Sequence, residues 1–221
     1  MQYKVQYRPT CSLMTFTLQP GEKIFTALDS LVSLEEGIVA KPQILGDWLA
    51  ALLRYSFGGI SPWLQVYHNP TDTARQVIVG CDMPGDILRL DVNKSPFCIN
   101  PQNLVAYTSG VRQGTQWLGW SSWFAGQGLV GLKLSGKGRV FLSGSGRLSQ
   151  QTVHQRFGLE QGHFVAYSAK LKLKLNFPKG LVGSARSGEG FIHQLLGGGI
   201  LYFQTSSLTN LIRFVRTKIT G

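Results

Sequence analysis

Apolar and polar residues alternate along most of this chain, and this period-2 pattern is typical of half-buried β-strands. Clear examples are Leu13–Leu18 and residues 129–134. The short, continuously apolar runs at residues 140–142 and 200–203 are bounded by glycine, as buried strands are. We therefore expect an all-β protein.

Two segments instead have the spacing of a helix. Residues 46–54 form the first, with Asp47 as a candidate N-cap and Gly58-Gly59 as a stop signal. Residues 208–214 form the second, close to the C-terminus. The sequence thus predicts a helical insertion at about residues 44–57 and a short C-terminal helix.

Two sequence blocks recur three times in the same order. The first block runs from an apolar residue through Pro/Gly-type turn residues into a strand, at residues 18–28, 99–109 and 159–169. The second consists of two apolar strands around a turn, which is glycine-rich in the last two copies, at residues 63–79, 126–142 and 187–203. We interpret the pattern as three β-units, at residues 1–84, 85–148 and 149–221. Each is too small for a comfortable core, so we expect one compact body.

The formal charge of +11 on the 221 residues is placed unevenly. Residues 1–110 carry eight Lys/Arg and nine Asp/Glu, whereas residues 111–221 carry fourteen Lys/Arg and only Glu160 and Glu189. A basic half of this kind suggests an anionic membrane surface or nucleic acid as a partner. A solvated surface that keeps the protein soluble is the alternative.

The sharpest local feature is the alternating run Lys170-Leu-Lys-Leu-Lys-Leu175. On a strand this places three lysines on one face and three leucines on the other. The lysines could bind an anion, or they could protect an edge strand from sheet-to-sheet aggregation. Four further cations fall on or near one predicted hairpin, and two lie near the C-terminus. The candidate anion-binding residues are Lys170, Lys172, Lys174, Lys133, Lys137, Arg139, Arg147, Arg213 and Arg216.

Residues suited to catalysis or metal binding are sparse. Cys11, Cys81 and Cys98 form no CxxC pair, which argues against a disulfide framework and for a reducing compartment. The four histidines lack the local spacing of metal ligands, although His163 and His193 could converge in the fold. With two acids in the basic half, little remains for acid–base chemistry. We expect no enzyme, no metal and no cofactor.

The sequence shows no signal for a membrane span or for secretion. Residues 1–7 alternate like a strand and lack an apolar signal region, and no stretch reaches the roughly 18 uninterrupted apolar residues of a span. We therefore expect a cytoplasmic protein that contacts membranes peripherally at most.

Five short motifs, in order along nearly the whole chain, carry a family resemblance. They are Leu18-Gln-Pro-Gly-Glu22, Leu34-Glu-Glu-Gly37, Met83-Pro-Gly-Asp-Ile87, Ser187-Gly-Glu-Gly190 and Gly199-Ile-Leu-Tyr-Phe-Gln204. The chain resembles the family of uncharacterised proteins with tryptophan-RNA-attenuator-like (TRAP-like) folds, which includes mitochondrial-biogenesis (altered inheritance of mitochondria) proteins. It departs from the family at Ile60-Ser-Pro-Trp63, where a Gly-Gly-Glu-like motif would be expected.

The resemblance implies three tandem short double-stranded β-helix units, often assembled as a homotrimer. It implies no known catalytic activity and no agreed ligand, and it supplies no functional residues. Our leading hypothesis is a β-scaffold that self-associates, with a trimer favoured, and contacts anionic membranes through its basic half. The alternative is a nucleic-acid-binding module that uses the same half. A third hypothesis, a ligand binder or enzyme with a cupin-like cavity, needs clustered His/Glu ligands that the sequence does not show.

Overall fold

The computed structural model describes residues 1–44, 63–81, 83–93, 95–117, 130–176 and 192–219. Strands dominate this part of the chain, and the all-β prediction is confirmed. The strands are β1 (Gln2–Gln6), β2 (Leu13–Leu18), β3 (Lys23–Ala27), β4 (Leu31–Leu34), β5 (Val39–Ile44), β6 (Trp63–His68), β7 (Arg75–Gly80), β8 (Gly85–Asp91), β9 (Phe97–Ile99), β10 (Leu104–Thr108), β11 (Val111–Trp117), β12 (Val130–Gly136), β13 (Arg139–Ser145), β14 (Leu148–Val153), β15 (Arg156–Glu160), β16 (Phe164–Ser168), β17 (Lys172–Asn176), β18 (Ile192–Leu196) and β19 (Gly199–Gln204).

Helical structure is confined to short elements in the described residues. One α-helix, α1, spans Leu208–Ile219 and is longer than the segment that the sequence predicts. Three 3-10 helices lie at Leu28–Ser30, Pro101–Asn103 and Gln161–His163. The helix predicted near residues 44–57 falls almost wholly outside the described residues, except that Ile44 ends β5.

Within the described residues the strands form four antiparallel sheets, none of which closes on itself. The first sheet has the order β1-β2-β7-β4, and the second has the order β5-β6-β3-β10-β13-β8. The third sheet has the order β11-β12-β9-β16-β19-β14, and the fourth has the order β15-β18-β17.

Three hydrophobic clusters hold the sheets together as a stack. The first cluster joins the first and second sheets and includes Met14, Phe16 and Phe141. The second joins the second and third sheets and includes Val140, Leu142 and Tyr202, and the third joins the third and fourth sheets. Since side chains alternate along a strand, Phe141 packs on one face of the second sheet while Val140 and Leu142 pack on the other. Both faces are buried, which explains a continuously apolar run.

Each six-stranded sheet is assembled from two distant parts of the chain. In the second sheet, β3 pairs with β10, with Thr26 opposite Ala106 and Phe25 opposite Tyr107. The Phe25 and Tyr107 rings stack at 4.9 Å with an interplanar angle of 5°. In the third sheet, β9 pairs with β16 in the same way. The first join pairs Thr26 with Ala106, 80 positions later, and the second pairs Ile99 with Ala166, 67 positions later.

The structure corrects two details of the sequence interpretation. The predicted hairpin of residues 126–142 is wrong, because β12 belongs to the third sheet and β13 to the second. The first copy of the first block is misplaced, because residues 18–28 run from β2 into β3, whereas residues 99–109 and 159–169 each run through a 3-10 helix. A 3-10 helix nearer the N-terminus spans Leu28–Ser30 and precedes β4.

Replacing Phe141 tests the packing between the first and second sheets. Its ring is fully buried, and it meets the rings of Tyr3 at 5.0 Å and Phe16 at 5.2 Å. We expect Phe141→Ala to lower the free energy of unfolding by about 4 kcal/mol, because it leaves a cavity lined by aromatic edges. Chemical denaturation measures this. Ile219→Ala, at a side chain that is 77% exposed, is the control, and an equal loss in both variants would contradict the assignment.

Candidate functional site

The lysine run lies at the edge of the fourth sheet. Lys172 and Lys174 are exposed on β17, and Lys170 is exposed in the turn that precedes it. Leu171 is buried and Leu173 is half-buried, so the predicted alternation of faces is present over these five residues. In the sheet order β15-β18-β17, the strand has a paired neighbour on one side among the described residues. This position is compatible with either anion binding or edge protection.

The four cations predicted near one hairpin belong to different sheets and turns. Lys133 is half-buried on β12, and Lys137 is exposed in the turn that leads to β13. Arg139 begins β13 opposite Asp91, and its guanidinium carbon lies 5.7 Å from the centre of the Tyr3 ring. A cation over an aromatic face is attracted by the ring quadrupole. Arg139 therefore has a structural partner in the N-terminal strand.

Arg147 lines a half-open groove of about 320 Å³ at one end of the molecule. Four segments meet there: the loop after β1 with Pro9, the loop before β8 with Pro84, the β13–β14 turn, and the start of α1 with Leu211. The backbone amide of Arg147 donates to Thr205 Oγ1 at 2.9 Å, which fixes the turn against the chain leading to α1. Gly146 in this turn has φ of +69°, a value that favours glycine.

Helix α1 carries the two remaining candidates, Arg213 and Arg216, whose side chains lie outside the described residues. The helix begins at Ser207, whose buried hydroxyl accepts from the Asn210 amide at 3.5 Å and whose carbonyl accepts from Leu211. Gly162 lies against this cap, because a Cβ there would sit 2.2 Å from Ser207 Oγ. The start of α1 is therefore tied to the 3-10 helix before β16.

An exposed apolar edge on β4 was missed by the sequence analysis. All four residues of β4 are exposed, although three of them are apolar. Val32 is 57% exposed, whereas Val105 at the matching point of β10 is 2% exposed. Strand β10 lies inside the second sheet, between β3 and β13, where both faces are covered, whereas β4 ends the first sheet in the described residues. The uncharged sequence Leu31-Val-Ser-Leu34 was the available signal.

An ion pair between half-exposed Arg8 and a buried carboxylate, also missed, fastens the N-terminal segment to the start of β8. Arg8 donates to both carboxylate oxygens of Asp86, at 2.6 and 2.9 Å, and Asp86 is 5% exposed. The carboxylate also accepts from Ser12 Oγ and the Ile87 amide. Burial alone would raise the pKa of Asp86, but the hydrogen bonds and the charge of Arg8 outweigh it, so the pKa falls below its ordinary value.

Cys98 and His163, two of the reactive side chains noted in the sequence, make structural contacts. Burial raises the pKa of the Cys98 thiol, which contacts Tyr167, so the thiol is neutral at pH 7. His163 lies 2.7 Å from the Gln204 carbonyl oxygen and 3.6 Å from the Glu160 carboxylate, while the His193 side chain is outside the described residues. Over the described ranges, His, Cys, Asp and Glu do not gather in threes as a metal site requires.

No helix among the described residues has the length and apolar character needed to cross a bilayer.

The fold and its surfaces define an all-β protein of stacked antiparallel sheets with an exposed apolar edge and a basic C-terminal helix. A family model described as "Mitochondrial biogenesis AIM24" matches residues 3–206, and the chain belongs to this family. Its fold is similar to that of a Streptococcus pyogenes protein solved by X-ray crystallography, with a TM-score of 0.80 and 18% identity over 98% of this chain and 99% of the other. Comparison with curated proteins gives no match.

Removing the buried carboxylate tests the Arg8–Asp86 pair. We expect Asp86→Asn to lower the free energy of unfolding at pH 7 by about 2 kcal/mol, the scale of a charge-assisted hydrogen bond. Because the folded-state pKa of Asp86 is depressed, its contribution is present above an unfolded-state pKa of about 3.9 and is lost as the pH falls through the folded-state value. Urea titrations at neutral and acidic pH measure both effects.

The exposed residue Asp72 offers a matched control for this carboxylate. Asp72→Asn should leave stability nearly unchanged at both pH values. If wild type and Asp86→Asn keep the same separation at acidic pH as at neutral pH, the ion pair is not the source of the difference.

Proposed function

We propose that this protein is a non-enzymatic cytoplasmic β-scaffold that self-associates by strand pairing between copies and contacts anionic membrane surfaces. The observation that carries the proposal is the match between two strand edges at opposite ends of the sheet series, β4 and β15.

The recurrence of one pairing pattern supports three β-units. The sets β2–β7–β4, β8–β13–β10 and β14–β19–β16 occupy equivalent places, and so do β3–β6–β5, β9–β12–β11 and β15–β18–β17. In each chain segment of six strands, β2–β7, β8–β13 and β14–β19, a 3-10 helix joins the second strand to the third. Strands β4, β10 and β16 share a register shift at the same point. We interpret each six-strand segment as a short double-stranded β-helix unit, the TRAP-like arrangement that the family resemblance implies.

Consecutive units join by one rule. The second strand of a unit pairs with the third strand of the next, as β3 does with β10 and β9 does with β16. The strands left over by this rule are β15, the second strand of the last unit, and β4, the third strand of the first. Each has a strand neighbour on one side only within the described residues. The β15 edge of one copy therefore suits pairing with the β4 edge of another copy.

The rule also gives a register between copies. Thr26 lies opposite Ala106, and Ile99 lies opposite Ala166, at equal distances from the neighbouring 3-10 helices. The same distances place Leu159 of one copy opposite Ser33 of the next, and Gly158 opposite Leu34. Side chains at such paired positions touch, as the Phe25–Tyr107 stack illustrates.

The chemistry of the other edges favours this choice. Strands β1, β5, β8, β11, β14 and β17 also end sheets in the described residues. All but β14 carry a cation, namely Lys4, Lys41 beside Pro42, Arg89, Arg112, and Lys172 with Lys174, and β14 is mostly polar. Lysine and proline on an edge discourage pairing with another chain. Strand β4 has no charge, and pairing would cover its exposed apolar residues. Head-to-tail pairing produces either a closed ring or an open filament, and the family resemblance favours a ring of three copies.

A disulfide between copies tests both association and register. We expect a Leu34→Cys/Gly158→Cys variant, in a Cys11→Ser background that removes the exposed thiol, to form covalent oligomers on mild oxidation. Paired antiparallel residues have Cα atoms about 4.5 to 5.5 Å apart, within the range of a disulfide. Non-reducing electrophoresis should show a ladder that ends at three copies.

The matched control moves one cysteine by a single residue. Ser33→Cys/Gly158→Cys should cross-link poorly, because neighbouring residues on a strand face opposite sides. A monomer by light scattering at micromolar concentrations would overturn self-association. An oligomer in which the control cross-links as well as the designed pair would overturn the register alone.

A further inference from the structure

Helix α1 exposes an apolar surface that the described part of this chain does not cover. Leu211, Ile212, Val215 and Ile219 are 51%, 58%, 42% and 77% exposed. At 3.6 residues per turn these four positions fall on one stripe of the helix. Exposed aliphatic residues in a continuous stripe, rather than scattered singly, mark an interaction surface.

The charges of α1 indicate what that surface meets. The helix contains Arg213, Arg216 and Lys218 and no acidic residue, and the chain has no Asp or Glu after Glu189. By helical spacing Arg213 and Arg216 fall outside the stripe, and Lys218 falls at its edge beside Leu211. A short helix with an apolar stripe bordered by cations suits the boundary between lipid headgroups and acyl chains. The stripe enters the apolar boundary while the cations meet anionic headgroups.

Two other occupants fit these residues less well. A second copy of α1, packed stripe to stripe, would bring two sets of three cations together without a compensating acid on either helix. A nucleic acid would satisfy the cations but would leave four aliphatic side chains in water. An anionic bilayer satisfies the cations and the aliphatic side chains together.

We propose that α1 is an interfacial helix that attaches the protein to anionic phospholipid surfaces. Its Ser207 cap, closed against Gly162, sets the helix at a fixed position on the sheet body. This inference deepens the membrane contact of the proposed function and relies on self-association only for strength, because several helices on one assembly would bind with avidity.

Co-sedimentation with vesicles tests the proposal. The probes are vesicles of phosphatidylcholine alone and of equal parts phosphatidylcholine and phosphatidylglycerol. We expect wild type to pellet with the anionic vesicles only. Arg213→Gln/Arg216→Gln/Lys218→Gln should lower the partition coefficient roughly 100-fold, since each cation near the surface contributes about fivefold. Ile212→Gln/Val215→Gln should reduce binding to the same vesicles even at low salt.

The matched control removes the same charge from β17. Lys170→Gln/Lys172→Gln/Lys174→Gln should retain most of the binding, whereas equal losses in both triple variants would show diffuse attraction and overturn the assignment to α1. Failure of wild type to pellet would also overturn it. Labelled mixed-sequence RNA is a second probe, and RNA binding that depends on α1 without vesicle binding would replace lipid by nucleic acid.

A Leu34→Lys variant separates this inference from the scaffold proposal. It charges the exposed β4 edge, and light scattering should show a single copy. That single copy should still prefer anionic vesicles, though more weakly. Retained lipid binding in a wild-type protein that never self-associates would refute the scaffold and keep the helix assignment. A wild-type protein that self-associates but does not bind vesicles would refute the helix assignment and keep the scaffold proposal.

Discussion

The burial of both faces of the two six-stranded sheets is the constraint on which the rest of this structure depends. Those sheets are covered on both faces because two smaller sheets flank them. Each six-stranded sheet is also completed by strands from two distant segments of the chain. Fully buried Ala106 and Ala166 lie at the two joins, opposite Thr26 and Ile99. Small side chains there let neighbouring layers approach closely.

The same constraint decides what the sequence could reveal. A strand buried on both faces loses its polar alternation, so residues 140–142 and 200–203 were recognisable as buried strands. A glycine-rich turn is compatible both with two strands that pair and with two strands that belong to different sheets. The prediction of a β12–β13 hairpin was wrong for that reason. The first repeat block was misplaced because a Pro-Gly turn and a 3-10 helix both place polar turn residues before a strand.

Candidate functional surfaces could be predicted from the sequence where they depend only on residues close together in the chain. The exposed lysine face of β17 and the position of α1 could be anticipated, since both depend on spacing within a few residues. The Arg8–Asp86 pair could not, because 78 residues separate its partners. The exposed β4 edge also escaped prediction, since the sequence of an apolar strand does not show whether neighbouring strands cover it.

Nested strand pairing has a consequence for synthesis on the ribosome. Strand β3 emerges early, yet the strand that covers its second edge, β10, ends at Thr108. Until that point the nascent chain presents an open apolar edge in the growing second sheet, and β9 waits in the same way for β16. Pairing between distant strands is slow, and open edges of this kind attract other chains. Translation thus passes through two intervals in which a chaperone that shields strand edges has a defined place to bind.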